Sequence, residues 1–352
     1  MSDMIDHIDQ PLPNAGFDSR LHRPEARFDA WRDSIGVIFD PALDPCATPT
    51  RFYAKVDAAL LGTVFLGRVD SVTQSFERSS QKILGDGLDH YLVQVFLEGW
   101  CEVEDCGHTR IVRPGDIYII DAAAPLSAVD YDFRHVTAFV PRDILAPQLV
   151  QPDAHHRRVI PGDTPLARLL YGYIKTLDAS RFDMTVAEGE AASGPLIGLI
   201  SSTLNLGPHT ARPDPDDKAV DLAVLKMVRD HIEMHLADPT LDVAQVASAF
   251  NLSRSRLYRL FEHQHGIAGY IRQRRLRRSL LDLLDPGNGA KYISEIAYRW
   301  GFASDTAYNR AFKRQYGCTP KEARVTRMTM HVCGVKDESL HNYERWIREL
   351  SI

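Results

Sequence analysis

Residues 241–261 read Leu-Asp-Val-Ala-Gln-Val-Ala-Ser-Ala-Phe-Asn-Leu-Ser-Arg-Ser-Arg-Leu-Tyr-Arg-Leu-Phe, and residues 293–312 read Ile-Ser-Glu-Ile-Ala-Tyr-Arg-Trp-Gly-Phe-Ala-Ser-Asp-Thr-Ala-Tyr-Asn-Arg-Ala-Phe. In the first stretch Asp242 suits a helix N-cap, and Val243, Val246 and Ala247 share one face of a short helix. Asn251 stands at a turn that wants a residue tolerant of positive φ. Ser253 then caps a second helix that turns Leu257, Leu260 and Phe261 inward. The second stretch repeats the plan. Ile296-Ala297 opens it, Gly301 makes the turn, Ser304 caps, and Tyr308, Ala311 and Phe312 face inward. Each stretch has a helix-turn-helix outline. Alone, such a pattern is weak, because any two helices joined by a glycine turn resemble it. Two in tandem are a specific signal.

Between them, Tyr270 to Leu284 reads as a third helix, ended by Asp285-Pro286-Gly287, with five arginines between 272 and 278. Fifteen residues give a rod of roughly 22 Å, which holds the two units apart. Recognition helices about 34 Å apart enter successive major grooves on one face of a duplex. The arginines suit the phosphates beneath; the plainer alternative is that they only solvate a helix face.

Net charge agrees once it is divided. The whole chain of 352 residues carries −6, which on its face argues against a nucleic-acid binder. Over residues 218–327, however, Lys and Arg outnumber Asp and Glu by eight; over the remainder they are outnumbered by fourteen. A basic segment is attached to an acidic body. A hydrophobic fraction of 44% and a charged fraction of 25% exclude a disordered chain, a collagen or a coiled-coil rod. Five cysteines are too few, and odd in number, for a disulfide scaffold. There is no apolar leader and no run of 18 apolar residues, so the expectation is a reduced, cytoplasmic protein without a membrane span.

These motifs carry a resemblance. Ile296-Ala297-Tyr298-Arg299-Trp300-Gly301-Phe302, Arg310-Ala311-Phe312-Lys313-Arg314 and Tyr316-Gly317-Cys318-Thr319-Pro320 are similar to the DNA-binding domain of AraC/XylS-type transcriptional regulators. The likeness runs over about residues 220–325. One departure is that Gly266-Ile267-Ala268-Gly269 stands where the family usually has Ser-Pro. The resemblance implies a cupin-like N-terminal β barrel followed by helices, which binds an effector and often dimerises.

Helix geometry then nominates the side chains that face DNA. For base edges these are Ser255, Tyr258 and Arg259 in the first unit, with Asp305, Thr306, Asn309 and Arg310 in the second. For phosphates they are Arg254, Arg256, Arg272, Arg275, Lys313 and Arg314.

Upstream, short apolar runs from about Phe52 to Val140 are cut by Gly and Pro turns such as Arg113-Pro114-Gly115-Asp116, which suggests an antiparallel sandwich or barrel. Tyr91, Val93, Val95 and Leu97 alternate with Leu92, Gln94, Phe96 and Glu98. Leu166, Leu169, Leu170, Tyr173, Ile174 and Leu177 form the stripe of a helix. A second helical stretch runs from about Met184 to Leu204, with Gly194-Pro195 expected to kink or split it.

The fold class expected is therefore α+β in two domains. It comprises a flexible segment (1–27), a cupin-like sensing and dimerisation domain (28–204), a Pro-rich linker (205–217), a domain of two helix-turn-helix units joined by a linker helix (218–327), and an extension (328–352) with a possible helix at 338–350. Phe76, Tyr91, Phe96, Trp100, Tyr118 and Phe133 are inward aromatics of the barrel, and the first five are carried forward as candidates for an effector pocket. His90, His108 and His135 are isolated, and His155-His156 and His231/His235 lack partners at ligand spacing, so no metal and no cofactor are expected.

The function expected is a sequence-specific transcriptional regulator, by resemblance an activator. Its expected partners are double-stranded promoter DNA, a small-molecule effector (in the family often a sugar or a small aromatic acid), RNA polymerase and a second copy of the chain. No catalytic residue is assigned. Two rivals stand beside it: a cupin-type metal enzyme with a DNA-binding tail, and a redox-responsive regulator using Cys101 and Cys106 across a hairpin.

Overall fold

The computed structural model describes residues 10–44, 48–86, 88–105, 107–206, 215–261, 266–284, 291–316 and 318–324. The extension 328–352, its expected helix, and Cys106 lie outside the described residues. The chain divides into two compact units, one within residues up to 208 and one within 209–334.

In chain order the first unit holds β1 (Asn14–Asp18), α1 (Arg27–Ile35), β2 (Asp40–Ala42), β3 (Ala54–Leu61), β4 (Val64–Ser71), β5 (Gln74–Arg78), α2 (Ser80–Asp86), β6 (His90–Asp105), β7 (His108–Val112), β8 (Ile117–Asp121), β9 (Leu126–Pro141), α3 (Arg142–Leu145), β10 (Arg158–Ile160), α4 (Pro165–Ser180) and α5 (Val186–Asn205). All pairings between the strands are antiparallel. The main path runs β1-β3-β4-β9-β6-β8-β10, with β5 joining β9 to β2 and β7 attached to β6. The path ends at β1 and β10 without returning, so the sheet is cupin-like but is not a closed barrel.

Two strands of 16 residues, β6 and β9, form its spine. The far edge of β9 pairs with β5 through Leu126–Asp130 and with β4 through Phe133–Phe139. At that change of partner the β6–β9 register shifts around Glu98. Gly99 takes φ +72, and a Cβ there would lie 2.3 Å from the Tyr131 carbonyl oxygen. This is a bulge that only glycine fits, and it bends both strands.

The alternation in β6 sorts residues between two buried layers. Leu92 and Phe96 join the inner cluster with Phe17, Trp31, Phe52 and Phe76. Tyr91, Val93 and Val95 join the outer one, packed with Leu170, Ile174 and Leu177 of α4 and Leu196, Ile200 and Leu204 of α5. The two helices therefore cover the sheet's convex side, and neither face of β6's first half meets solvent.

Three expectations need correction. Residues 1–27 are not a fraying tail as a whole: β1 pairs with β3, and Leu12 and Phe17 are buried. Polar composition concealed a segment whose backbone finds partners, including Leu12 N–H to the Met184 carbonyl at 3.0 Å. The apolar stripe of α4 is rotated: Ala167, Leu170, Ile174 and Leu177 are buried, while Leu169 is 59% exposed. Finally, α5 is one helix through Pro195, opened by a Thr185/Glu188 capping box; one missing N–H does not split it when Leu196, Ile197, Ile200 and Leu204 are buried.

The second unit holds α6 (Pro215–Met234), α7 (Val243–Ala249), α8 (Arg254–Leu260), α9 (Gly266–Leu284), α10 (Ile293–Arg299) and α11 (Asp305–Tyr316). The linker reading is trimmed, since α6 begins at Pro215. The connector α9 gains a turn at Gly266–Gly269 and reaches 19 residues, about 28 Å.

Candidate DNA-reading face and interior cavity

The two helix-turn-helix units match down to their backbone hydrogen bonds. Asn251 has φ 51 and Gly301 φ 69. After α7, Leu252 N–H donates to the Ala247 carbonyl at 2.9 Å; after α10, Phe302 N–H donates to the Ala297 carbonyl at 3.0 Å. Both helix ends thus close through a left-handed residue. Asp242 accepts from Gln245 N–H at 2.8 Å, Ser253 from Arg256 N–H at 3.2 Å, and Ser304 from Ala307 N–H at 3.3 Å. Leu257 and Phe261 in the first unit, and Tyr308, Ala311 and Phe312 in the second, are buried.

Burial of those faces turns the opposite ones outward. Arg254, Ser255, Tyr258 and Arg259 are exposed on α8, with Arg256 half-buried. On α11, Asp305, Thr306, Arg310, Lys313 and Arg314 are exposed and Asn309 is half-buried. Arg272 of α9 is exposed as well. Each helix so presents guanidinium and short polar groups of the kind that read base edges, beside cations suited to phosphate.

Arg275 departs from the phosphate role. Its guanidinium is engaged by backbone carbonyls: Nε donates to Leu236 at 3.1 Å, Nη2 to Asp238 at 2.6 Å and Leu241 at 3.4 Å, and Nη1 to Gly301 at 3.3 Å. Its neighbour Arg274 is tied to Glu233 at 2.6 Å. Five arginines in a row of seven look alike in a sequence; helix phase sends these two inward.

In the first unit, a cavity of about 50 Å³ lies inside the curled sheet. Its walls are mostly apolar, from Trp31, Phe39, Phe65, Phe76, Leu92 and Phe139 among others. Its polar lining comprises Gln94, Cys101, Tyr118, Asp130, His135 and Thr137. Gln94 Nε2 donates to Thr137 Oγ1 at 3.2 Å, and that hydroxyl lies 3.3 Å from His135 Nδ1. His135 Nε2 is 3.9 Å from Asp130. The Tyr118 hydroxyl is buried without a hydrogen-bond partner.

Burial drives the Asp130 carboxyl up to about 7 and the His135 imidazole down to about 3. At pH 7 the histidine is neutral, and the contact between the two is not an ion pair. Burial also pushes the Cys101 thiol up, the opposite of what a reactive thiolate needs.

Of the five aromatics nominated for this pocket, Phe76 and Tyr118 line it. Phe96 lies in the inner layer, 5.4 Å from the His135 ring, but is not part of the lining. Tyr91 belongs to the outer layer, where its hydroxyl donates to the Pro152 carbonyl at 2.7 Å. Trp100 stacks on Tyr131 at 3.9 Å, beyond the bulge that shifts the strand's alternation. Asp130 and His135 were not foreseen; no local motif marks them, and they meet only through the curvature of β9. Among the described residues no three His, Cys, Asp or Glu side chains are placed to hold a metal ion.

A pH test follows for Asp130. Its folded pKa lies above the unfolded value, so an unliganded native state loses stability as pH rises from about 4 to about 7. Asp130→Asn is expected to stabilise the protein at pH 8, on the order of 2 kcal/mol, and to lose that advantage below about pH 4. Urea unfolding of both proteins across this range checks it; a gain that does not vary with pH would contradict it.

Two family models match the chain, an AraC-binding-like domain over residues 31–205 and a helix-turn-helix domain over residues 246–325. The chain belongs to the AraC family of transcriptional regulators. It is 25% identical over 297 residues to the transcriptional activator NphR of a Rhodococcus species, covering 82% of this chain and 86% of that one. The right origin-binding protein of Escherichia coli K12 is 37% identical over 91 residues, 25% of this chain and 30% of that protein. The crystal structure of the AraC-like transcriptional activator CuxR is similar at 23% identity with a TM-score of 0.53, covering 75% of this chain and 94% of that one. That likeness shows the fold.

Proposed function

We propose that the chain reads a bipartite promoter site through α8 and α11 in successive major grooves. In this reading a small molecule held in the first unit's cavity alters that occupancy. The observation that carries the DNA half is the repeated scaffold, which buries one face of each recognition helix and exposes Arg259 and Arg310 on the other. Arg254, Arg256, Arg272, Lys313 and Arg314 supply phosphate affinity; Arg275 is withdrawn from that set. Selection of bound duplexes from random DNA provides the test site. On it, Arg310→Ala is expected to cost about 1–3 kcal/mol of specific binding at fixed salt. An unchanged Kd would remove Arg310 from the base-reading set.

The effector half rests on the cavity's lining. Its walls carry no lysine or arginine, so a carboxylate would enter without a counter-charge. A small, uncharged or cationic molecule suits apolar walls with Asp130, His135 and the Tyr118 hydroxyl as polar contacts, and one of ring size requires the walls of the cavity of about 50 Å³ to move apart. Exposed Leu169 on α4 and Phe182 just after it favour a homodimer contact beside these helices. The activator role rests on the likeness to the transcriptional activator NphR, and RNA polymerase is the partner such a role would require. No helix among the described residues is long and apolar enough to cross a membrane. No catalytic role is assigned. The buried, high-pKa Cys101 speaks against the redox alternative.

A further inference from the structure

We infer that Arg275 is a positioning residue that fixes the angle between the two helix-turn-helix units, so that both read DNA at one spacing. The inference rests on the bipartite reading proposed above. The three carbonyls of Leu236, Asp238 and Leu241 belong to the segment that leads from α6 into α7, the scaffold of the first unit. The fourth, Gly301, is the left-handed turn between α10 and α11, which aims the second recognition helix. One guanidinium on the connecting helix thus holds both units at once, with donors in a fixed planar fork.

α9 is also tied to the first unit by Arg274, which donates to Glu233 at 2.6 Å, and to the second by Asp282, which accepts from Trp300 Nε1 at 2.8 Å, but each of these contacts joins it to one unit alone. Leu241, Asp242 and Val243 face Gly301, Phe302 and Ala303 across a groove whose third side is α9, with Arg272 and Arg275 on it. Gly301 is closed against the same group. A Cβ at that position would lie 2.7 Å from the central guanidinium carbon. The turn therefore favours glycine for its φ of +69, and any side chain there would push the end of the arginine aside. Carbonyl oxygens accept from the guanidinium without neutralising it, so its charge is retained in the groove. The Asp238 carbonyl also accepts from Leu241 N–H at 3.1 Å, so there the arginine adds a second donor to an acceptor that already closes the turn before α7.

Holding two readers at one angle matters through effective concentration. Two linked modules gain about 100-fold or more in affinity when both engage together, and lose it when geometry forbids that. Full-length wild type, Arg275→Ala and Arg275→Lys should be compared on three sets of duplexes: the selected site, the site with either half scrambled, and sites with one or two base pairs added or removed between halves. Wild type is expected to favour one spacing sharply. Arg275→Ala should lose about 100-fold on the intact site, keep its half-site affinity within about twofold, and show a flat spacing profile. Arg275→Lys keeps charge but cannot span four carbonyls, and should fall between. It also serves as the variant of record if the alanine protein fails to fold by circular dichroism.

A spacing profile like that of wild type overturns the inference, as does a parallel loss on half and intact sites, which would signify a simple phosphate contact or general destabilisation. A selection that enriches no duplex would instead overturn the DNA-reading proposal, and this inference with it.

Discussion

Arg142→Met is expected to lower the stability of the first unit by about 3–5 kcal/mol, read as a shift in its urea midpoint. Arg142 sits at the start of α3, is 3% exposed, and gathers three carboxylates from separate parts of the chain. Its Nε bonds Asp89 at 2.5 Å and its Nη1 bonds Asp153 at 3.2 Å; Nη2 bonds Asp121. The same Nη1 donates to the Tyr91 hydroxyl at 2.6 Å. Burial works against the arginine's charge, but Asp121, Tyr91, Asp89 and Asp153 outweigh it and its pKa rises. Methionine roughly fills the volume yet leaves three poorly solvated carboxylates facing one another. The cost is that of uncompensated charge, so it should shrink toward acid pH as they protonate. A loss that is pH-independent would mean packing, not charge, is responsible.

Phe312→Ala is expected to remove a comparable amount, about 3–5 kcal/mol, from the second unit. The side chain is fully buried between Tyr308 at 5.5 Å and Tyr316 at 4.7 Å between ring centres. These contacts seat α11 on its scaffold. Footprinting on the selected duplex should then lose protection over the half read by α11 before the half read by α8. Equal loss over both halves would show that the second unit melts as one body rather than shedding its last helix.

Legibility in the sequence followed the range of the forces involved. Asp242, Asn251, Ser253, Gly301 and Ser304 act within a few residues of themselves, and their caps and turns could be read directly. The inward faces of α8 and α11 followed from spacing, and so did the outward residues offered to DNA. Arg275 could not be separated from Arg272 because its role depends on carbonyls more than 25 residues away in either direction. The cavity was half legible for a related reason. Alternation shows which residues of β6 share a face, but not which face is concave. Tyr91 and Phe96 stand on opposite faces by that alternation, so offering both for one pocket leaves the choice of face open; the fold puts Phe96 in the inner layer and Tyr91 in the outer one. The strand at Asn14–Asp18 was hidden because an edge strand draws its stability from a partner, not from its own composition.

The doubly buried β6 has a consequence for how the sheet finds its pairing. A strand with one wet face is held in register by polarity, because a slip of one residue would drown its apolar set. Here Tyr91–Phe96 is shielded on both sides, so a slip would exchange one buried row for another and polarity offers little correction. The kink at Gly99 breaks that degeneracy. It can face only the Tyr131–Phe133 stretch of β9, whose own Asp132 takes φ 33, and so serves as an index mark against which the long ladder is counted.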